Sequence, residues 1–189
     1  MPVNPDALAT WANLITVSRI ALSPVMFLVI PPDDRGSWVA FGLWFALSVS
    51  DMADGYLARR HGTTTSGAFL DPLADKVLVL GAMFTLVAQD VFWVLPVAII
   101  AARELVISVY RTLVAQKGVS VPASMIAKQK TLVQQMAVGF VLWPWFAADY
   151  RWLWVSLLWL AVALAVISGA QYLWYSRVTK KALAEAGLN

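Results

Sequence analysis

Residues 51–75, DMADGYLARRHGTTTSGAFLDPLAD, set four aspartates inside a chain otherwise built for lipid. Asp51 and Asp54 are three positions apart, and Asp71 and Asp75 are four apart. On an α-helix either spacing puts both side chains on one face. Two helices running antiparallel across a short loop at residues 60–66 would turn all four carboxylates toward one place. Anions gathered in a low-dielectric setting repel one another strongly, so something positive has to sit among them. Divalent cations are the simplest candidate, because carboxylate oxygens are the donors that hard cations take. A solvated helix end explains one aspartate near a membrane surface. It explains four in paired register poorly, and ionisable residues within membrane helices mark functional sites.

The rest of the chain bounds what can surround this cluster. Of 189 residues, 60% are hydrophobic and only 13% charged, with a mean hydropathy of +0.71. Soluble domains run nearer half apolar and about a quarter charged. Ten tryptophans suit a chain with two membrane–water interfaces. The absence of cysteine excludes disulfide staples and thiolate chemistry. A formal net charge of +3 gives no case for a nucleic acid partner. The N-terminus lacks a basic region followed by an apolar core and a cleavage site, so no removable signal peptide is expected. The expectation is an all-α polytopic membrane protein of one domain, residues 1–189.

Apolar runs follow at 14–30, 38–50, 68–87, 91–115, 131–148 and 152–175. They are punctuated by the Pro-rich turn at 31–37, the hydroxyl-rich loop around 62–66, a tight turn at 88–90, the basic stretch 116–130 and a turn at 149–151. The second run leads directly into the aspartate motif. Each run suits a crossing of the ~30 Å hydrocarbon core, so six transmembrane helices are predicted, with both termini on one side. Residues 1–12 read as an interfacial segment and 177–189 as a basic tail. Arg59, Arg60, Arg111, Lys117, Lys128, Lys130 and the tail residues Arg177, Lys180 and Lys181 fall on one side, against Arg35 and Arg151 on the other. Positive-inside asymmetry then puts the termini, the aspartate motif and an active site in the cytoplasm, on a protein of the plasma (inner) membrane. No internal repeat is visible.

The motif, D-x2-D-G-x2-A-R-x7-G-x3-D-x3-D over Asp51, Asp54, Gly55, Ala58, Arg59, Gly67, Asp71 and Asp75, resembles that of the CDP-alcohol phosphotransferase family. Members are integral membrane enzymes of phospholipid synthesis, typically homodimers. The resemblance runs from about Asn13 to Thr131. It implies two divalent ions, Mg2+ or Mn2+, with Asp51 and Asp71 bridging, Asp54 and Asp75 completing one ion each, and Asp75 acting also as general base. It implies that Gly55, Ala58, a loop hydroxyl (Thr65 is chosen) and the motif's Gly67 face CDP-diacylglycerol. Without it, Gly55 and Ala58 read first as small residues for helix packing. Asn13, Thr16 and Arg19 share one helical face; capping and snorkelling explain them locally, whereas the family's N-x-x-T-x-x-R entry turns Asn13 and Thr16 toward the donor. Arg59 offers a planar fork to phosphate oxygens.

LDPLADK at 70–76, the ARE-then-R pattern at 102–111 and KQKT at 128–131 look most similar to the branch whose acceptor is glycerol 3-phosphate. Arg103, Arg111, Lys128 and Lys130 are the candidate acceptor-phosphate ligands. Topology accounts for Lys128 and Lys130 by itself, but poorly for the deeper Arg103. Glu104, next in sequence, projects about 100° away and is expected to be a poor partner for Arg103, which leaves an acceptor phosphate as its counter-ion. Two other acceptors, inositol phosphate and phosphatidylglycerol, share the aspartate motif. A cation or proton transporter is the rival from another class, since buried carboxylates also mark ion paths.

Overall fold

The computed structural model describes the backbone of residues 11–61, 65–116 and 125–185; side chains at 11–13, 51–61, 65–69, 71, 115–116, 173 and 175–185 lie outside what it describes. The described residues form seven helices: α1 Trp11–Leu28, α2 Trp38–His61, α3 Thr65–Ala88, α4 Val94–Gln116, α5 Met125–Leu142, α6 Pro144–Ala147 and α7 Arg151–Glu185. The fold is all-α. Helix α1 packs against α2 and α3, α3 against α4 and α5, and α7 against α4 and α5.

Several boundaries differ from the expected ones. Residues 91–93 form a turn, and α4 starts only at Val94. The polar stretch before residue 131 is partly helical, so Lys128 and Lys130 lie on α5. Pro144 breaks the fifth run, as its place in the sequence leads one to expect. Its missing N–H ends α5 at Leu142 and opens the single-turn α6. The basic residues from Arg177 to Lys181 continue α7. Of the expected interfacial segment 1–12, residues 1–10 lie outside the described residues, and residues 11 and 12 open α1.

The core follows from helical spacing. On α5 the buried residues are Lys130, Gln134, Ala137, Val138, Val141 and Leu142. On α7 they include Trp154, Leu158, Ala161, Val162, Ala165, Ser168 and Tyr172. Both series step by three or four, one face of each helix. Four of the buried stripes carry polar residues: Thr16, Arg19 and Ser23 early in α1, Glu104 midway along α4, Lys130 and Gln134 early in α5, and Ser168 midway along α7. With consecutive long helices alternating in direction, those early in α1 and α5 share one end of the bundle. The aspartates late in α2 and early in α3 belong to the same end.

The other end is closed by aromatics and backbone contacts. Phe41 stacks on Trp143 at 4.9 Å, and Trp38 meets Trp145 edge-on at 5.1 Å. Ser37 N–H donates to the Leu142 carbonyl at 2.9 Å. That approach requires Gly36, whose φ is +71° and where a Cβ would lie 2.6 Å from the Leu142 oxygen. Trp154 is fully buried and its indole N–H donates to the Ala147 carbonyl at 3.0 Å. Tryptophan, apolar in body and polar at one edge, suits this place if it is a lipid interface.

Large apolar side chains cover the outside, among them Leu28, Val39 and Trp174, at 86%, 68% and 72% exposure. Exposed apolar side chains occur on all six long helices, a distribution that suits lipid better than water. By length and composition, Arg151–Tyr172 is the one described stretch able to cross a membrane, at mean hydropathy 2.2. Leu14–Leu28 and Trp38–Ser50 are shorter apolar helices. Charged and amide residues in α3, α4 and α5 lower the apolar length of those helices.

Candidate functional site

Asp51 and Asp54 lie on α2, followed by Gly55, Ala58 and Arg59; Thr65, Gly67, Asp71 and Asp75 lie on the first turns of α3. Residues 62–64 between them lie outside the described ones, and so do all these side chains except that of Asp75. Asn13, on α1, has its side chain outside them too. On the same helix Thr16 and Arg19 are buried, and the Arg19 guanidinium donates to Ser50 Oγ at 3.4 Å. A cation snorkelling to headgroups would be exposed, so the local explanation of Arg19 is corrected. It is held inside the bundle, against the residue that precedes Asp51.

Asp75 is half-buried. Gln135 of α5 donates from Nε2 to its Oδ1 at 3.2 Å, which fixes one carboxylate oxygen across a helix boundary. Asp75 also lies within Coulombic range of Lys76 and Lys130, and these two lie within range of Glu104 and Arg103; Arg111 acts on Lys76 as well. Four cations therefore gather around two carboxylates among the described residues.

The expected isolation of Arg103 does not hold. Its Nη1 pairs with Glu104 Oε1 at 3.1 Å, and its Nη2 donates to Ser168 Oγ of α7 at 2.9 Å. The long guanidinium stem reaches around the ~100° between neighbouring side chains, and burial favours that pairing over leaving a charge alone. The same Glu104 oxygen accepts from Lys130 of α5. Lys76 of α3 donates to Ser108 Oγ, which in turn donates to the Glu104 carbonyl. One polar network thus ties α3, α4, α5 and α7 together.

Of the predicted phosphate ligands, Arg103 and Lys130 come together on Glu104. Arg111 and Lys128 are exposed on α4 and α5. Among the described residues, Arg103 Nε on α4 and Gln134 Nε2 on α5 are buried donors without a partner. Gln134, Gln135, Ser108 and Ser168 were missed from sequence. A signal existed, because amides and hydroxyls within apolar runs tend to bond across helices.

Comparison with known proteins follows the same lines. The CDP-alcohol phosphatidyltransferase family model matches residues 9–167. A relative from Haemophilus influenzae is 37% identical over 172 residues, covering 84% of this chain and 89% of its own. One from Escherichia coli (strain K12) is 39% identical over 168 residues, covering 85% and 91%. One from Rickettsia bellii is 34% identical over 165 residues, again covering 85% and 91%. All three are named CDP-diacylglycerol–glycerol-3-phosphate 3-phosphatidyltransferase.

Proposed function

This chain belongs to the CDP-alcohol phosphatidyltransferase family, and on that footing we propose that it is a phosphatidylglycerophosphate synthase. It transfers the phosphatidyl group of CDP-diacylglycerol to glycerol 3-phosphate and releases CMP, the reaction for which the relatives are named. The observation that carries the acceptor is the cluster of cations beside Asp75. Among the described residues, the cations Lys76, Arg103, Arg111 and Lys130 lie around Asp75 and Glu104. A phosphate monoester near neutral pH carries about two negative charges and the phosphodiester of phosphatidylglycerol about one, so such a cation cluster favours the monoester. Inositol phosphate has the same charge, and the names of the relatives favour glycerol 3-phosphate. A transporter would need no such cluster beside its carboxylates.

The family is metal-dependent and embedded in the membrane. Asp51, Asp54, Asp71 and Asp75 offer only carboxylate oxygens, a donor set that fits Mg2+ or Mn2+. Asp51, Asp54, Asp71 and Asp75 would hold two such ions between them. When bound, such ions stabilise charge on the attacking and leaving oxygens of an in-line displacement at phosphorus. The side chains do the rest. Asn13, Thr16, Gly55, Ala58, Thr65 and Gly67 seat the nucleotide lipid, and Arg59 binds its phosphate oxygens. Arg103, Arg111, Lys128 and Lys130 hold the acceptor phosphate. Asp75 takes the proton of the acceptor hydroxyl as its oxygen bonds to the phosphorus bearing diacylglycerol and the bond to CMP breaks. The same reading has one domain over residues 1–189, six spans in the plasma (inner) membrane, cytoplasmic termini and a homodimer.

An acceptor panel tests it. Purified protein with CDP-diacylglycerol and Mg2+ should release CMP with glycerol 3-phosphate, and little with inositol phosphate or phosphatidylglycerol. Arg103→Ala and Arg111→Ala should each raise KM for glycerol 3-phosphate about tenfold or more, one charge-assisted contact each. KM for CDP-diacylglycerol should stay within about twofold on the same scale. CMP release with another acceptor alone would overturn the assignment; equal shifts for both substrates would remove these arginines from the acceptor site.

A further inference from the structure

We infer that Glu104 is a positioning residue for the acceptor phosphate: one shared carboxylate oxygen holds Arg103 and Lys130 together while leaving them a net positive charge. The inference rests on the acceptor reading above and adds to it a residue of the wrong sign for a phosphate ligand. Glu104 is buried at 8% exposure, Lys130 at 2%, and the Arg103 side chain at 11%. Both cations reach the same oxygen, Oε1, from different helices. Two buried cations at that separation would otherwise repel each other apart. One carboxylate brings them together without neutralising both. Full neutralisation by a second carboxylate would leave nothing for an anion to bind.

A second observation points to a ligand in the same place. The network satisfies Arg103 at both terminal nitrogens, through Glu104 and Ser168, yet its buried Nε has no acceptor. On the helix that carries Lys130, Gln134 follows it by four positions, is 2% exposed and also has an unpartnered Nε2. Buried N–H groups left without acceptors are costly, so oxygens from a ligand would complete them. A phosphate brings both the oxygens and the charge. Ser168 is the second anchor: it donates to the Ala165 carbonyl at 3.1 Å, which turns its lone pairs toward Arg103. With α7 supplying that anchor, the guanidinium is fixed from two sides.

The test compares wild type with Glu104→Asp and Ser168→Ala in detergent, with inorganic phosphate as the probe. Aspartate keeps the charge but withdraws the oxygen by one methylene, so the two cations lose their common point. Glu104→Asp should raise KM for glycerol 3-phosphate roughly tenfold and raise Ki for inorganic phosphate by the same factor. KM for CDP-diacylglycerol and kcat should stay within about twofold. Ser168→Ala should move the same two constants in the same direction by about threefold, and decides the matter if the aspartate variant does not fold. Unchanged phosphate constants with a lowered melting temperature would overturn the inference, and so would equal shifts for both substrates. Glu104 would then be a structural ion partner only. Failure of inorganic phosphate to compete with glycerol 3-phosphate on the wild-type protein would instead sink the acceptor reading itself.

Discussion

Asparagine at position 51 or 71 is expected to abolish transfer, with kcat falling at least about a thousandfold, roughly 4 kcal/mol of transition-state stabilisation. Asparagine preserves the shape and removes the negative charge. The expectation rests on pairing: Asp51 and Asp54 share a face late in α2, and Asp71 and Asp75 share one early in α3. The four carboxylates would hold the ions as one set, so loss of a single charge weakens the whole ion site. Alanine would confound loss of charge with loss of volume; asparagine isolates the charge. The measurement is CMP release at saturating Mg2+, with Mn2+ binding to the purified variant followed by electron paramagnetic resonance. Near-normal turnover of either variant would end the two-ion assignment.

Asp75→Asn is the second large effect. It should keep CDP-diacylglycerol binding while kcat falls by about three orders of magnitude, within the range that a general base contributes. Asp75 stands between two chemistries. On its own helix it follows Asp71 by one turn, and around it lie Lys76, Lys130 and, through them, Arg103 and Glu104. An acceptor whose phosphate sits among those cations would bring its hydroxyl close to this carboxylate. Gln135 holds Oδ1 at 3.2 Å and so limits rotation of the group. An asparagine can keep that shape but cannot accept the proton. Donor binding measured beside turnover separates the roles: equal loss of both would make Asp75 a ligand of the donor or the ions and not the base.

Much of this was open to inspection in the linear chain. Helical periodicity is local, so the positions of six long helices emerged from the apolar runs, with shifts where proline or a polar turn intervened. Pro144 is the clearest case: the sequence marks a break, but the close contact of Gly36 and Ser37 with Leu142 shows why the break is accommodated there. The spacing of the aspartates and the match to a known family are also properties of sequence order. They lead to the reaction class without any coordinates.

Pairings between helices are a different matter. Asp75 and Gln135 are separated by 60 positions, Lys130 and Glu104 by 26, Arg103 and Ser168 by 65. Periodicity assigns each residue to a face but does not say which face of which helix it meets. The Arg103–Glu104 pair shows the limit most sharply. Considered alone, neighbours on a helix diverge by about 100° and look unsuited to each other. Inside the bundle, Lys130 and Ser168 bring further charge and hydrogen bonding to the same pocket, and the cost of burying an unpaired guanidinium favours bending its flexible stem toward the Glu104 carboxylate. The sequence by itself determined the helices, the acidic motif and the family, because these depend on local spacing. Only the tertiary structure decided how the buried charges are shared, because that depends on desolvation and on partners that are distant in sequence.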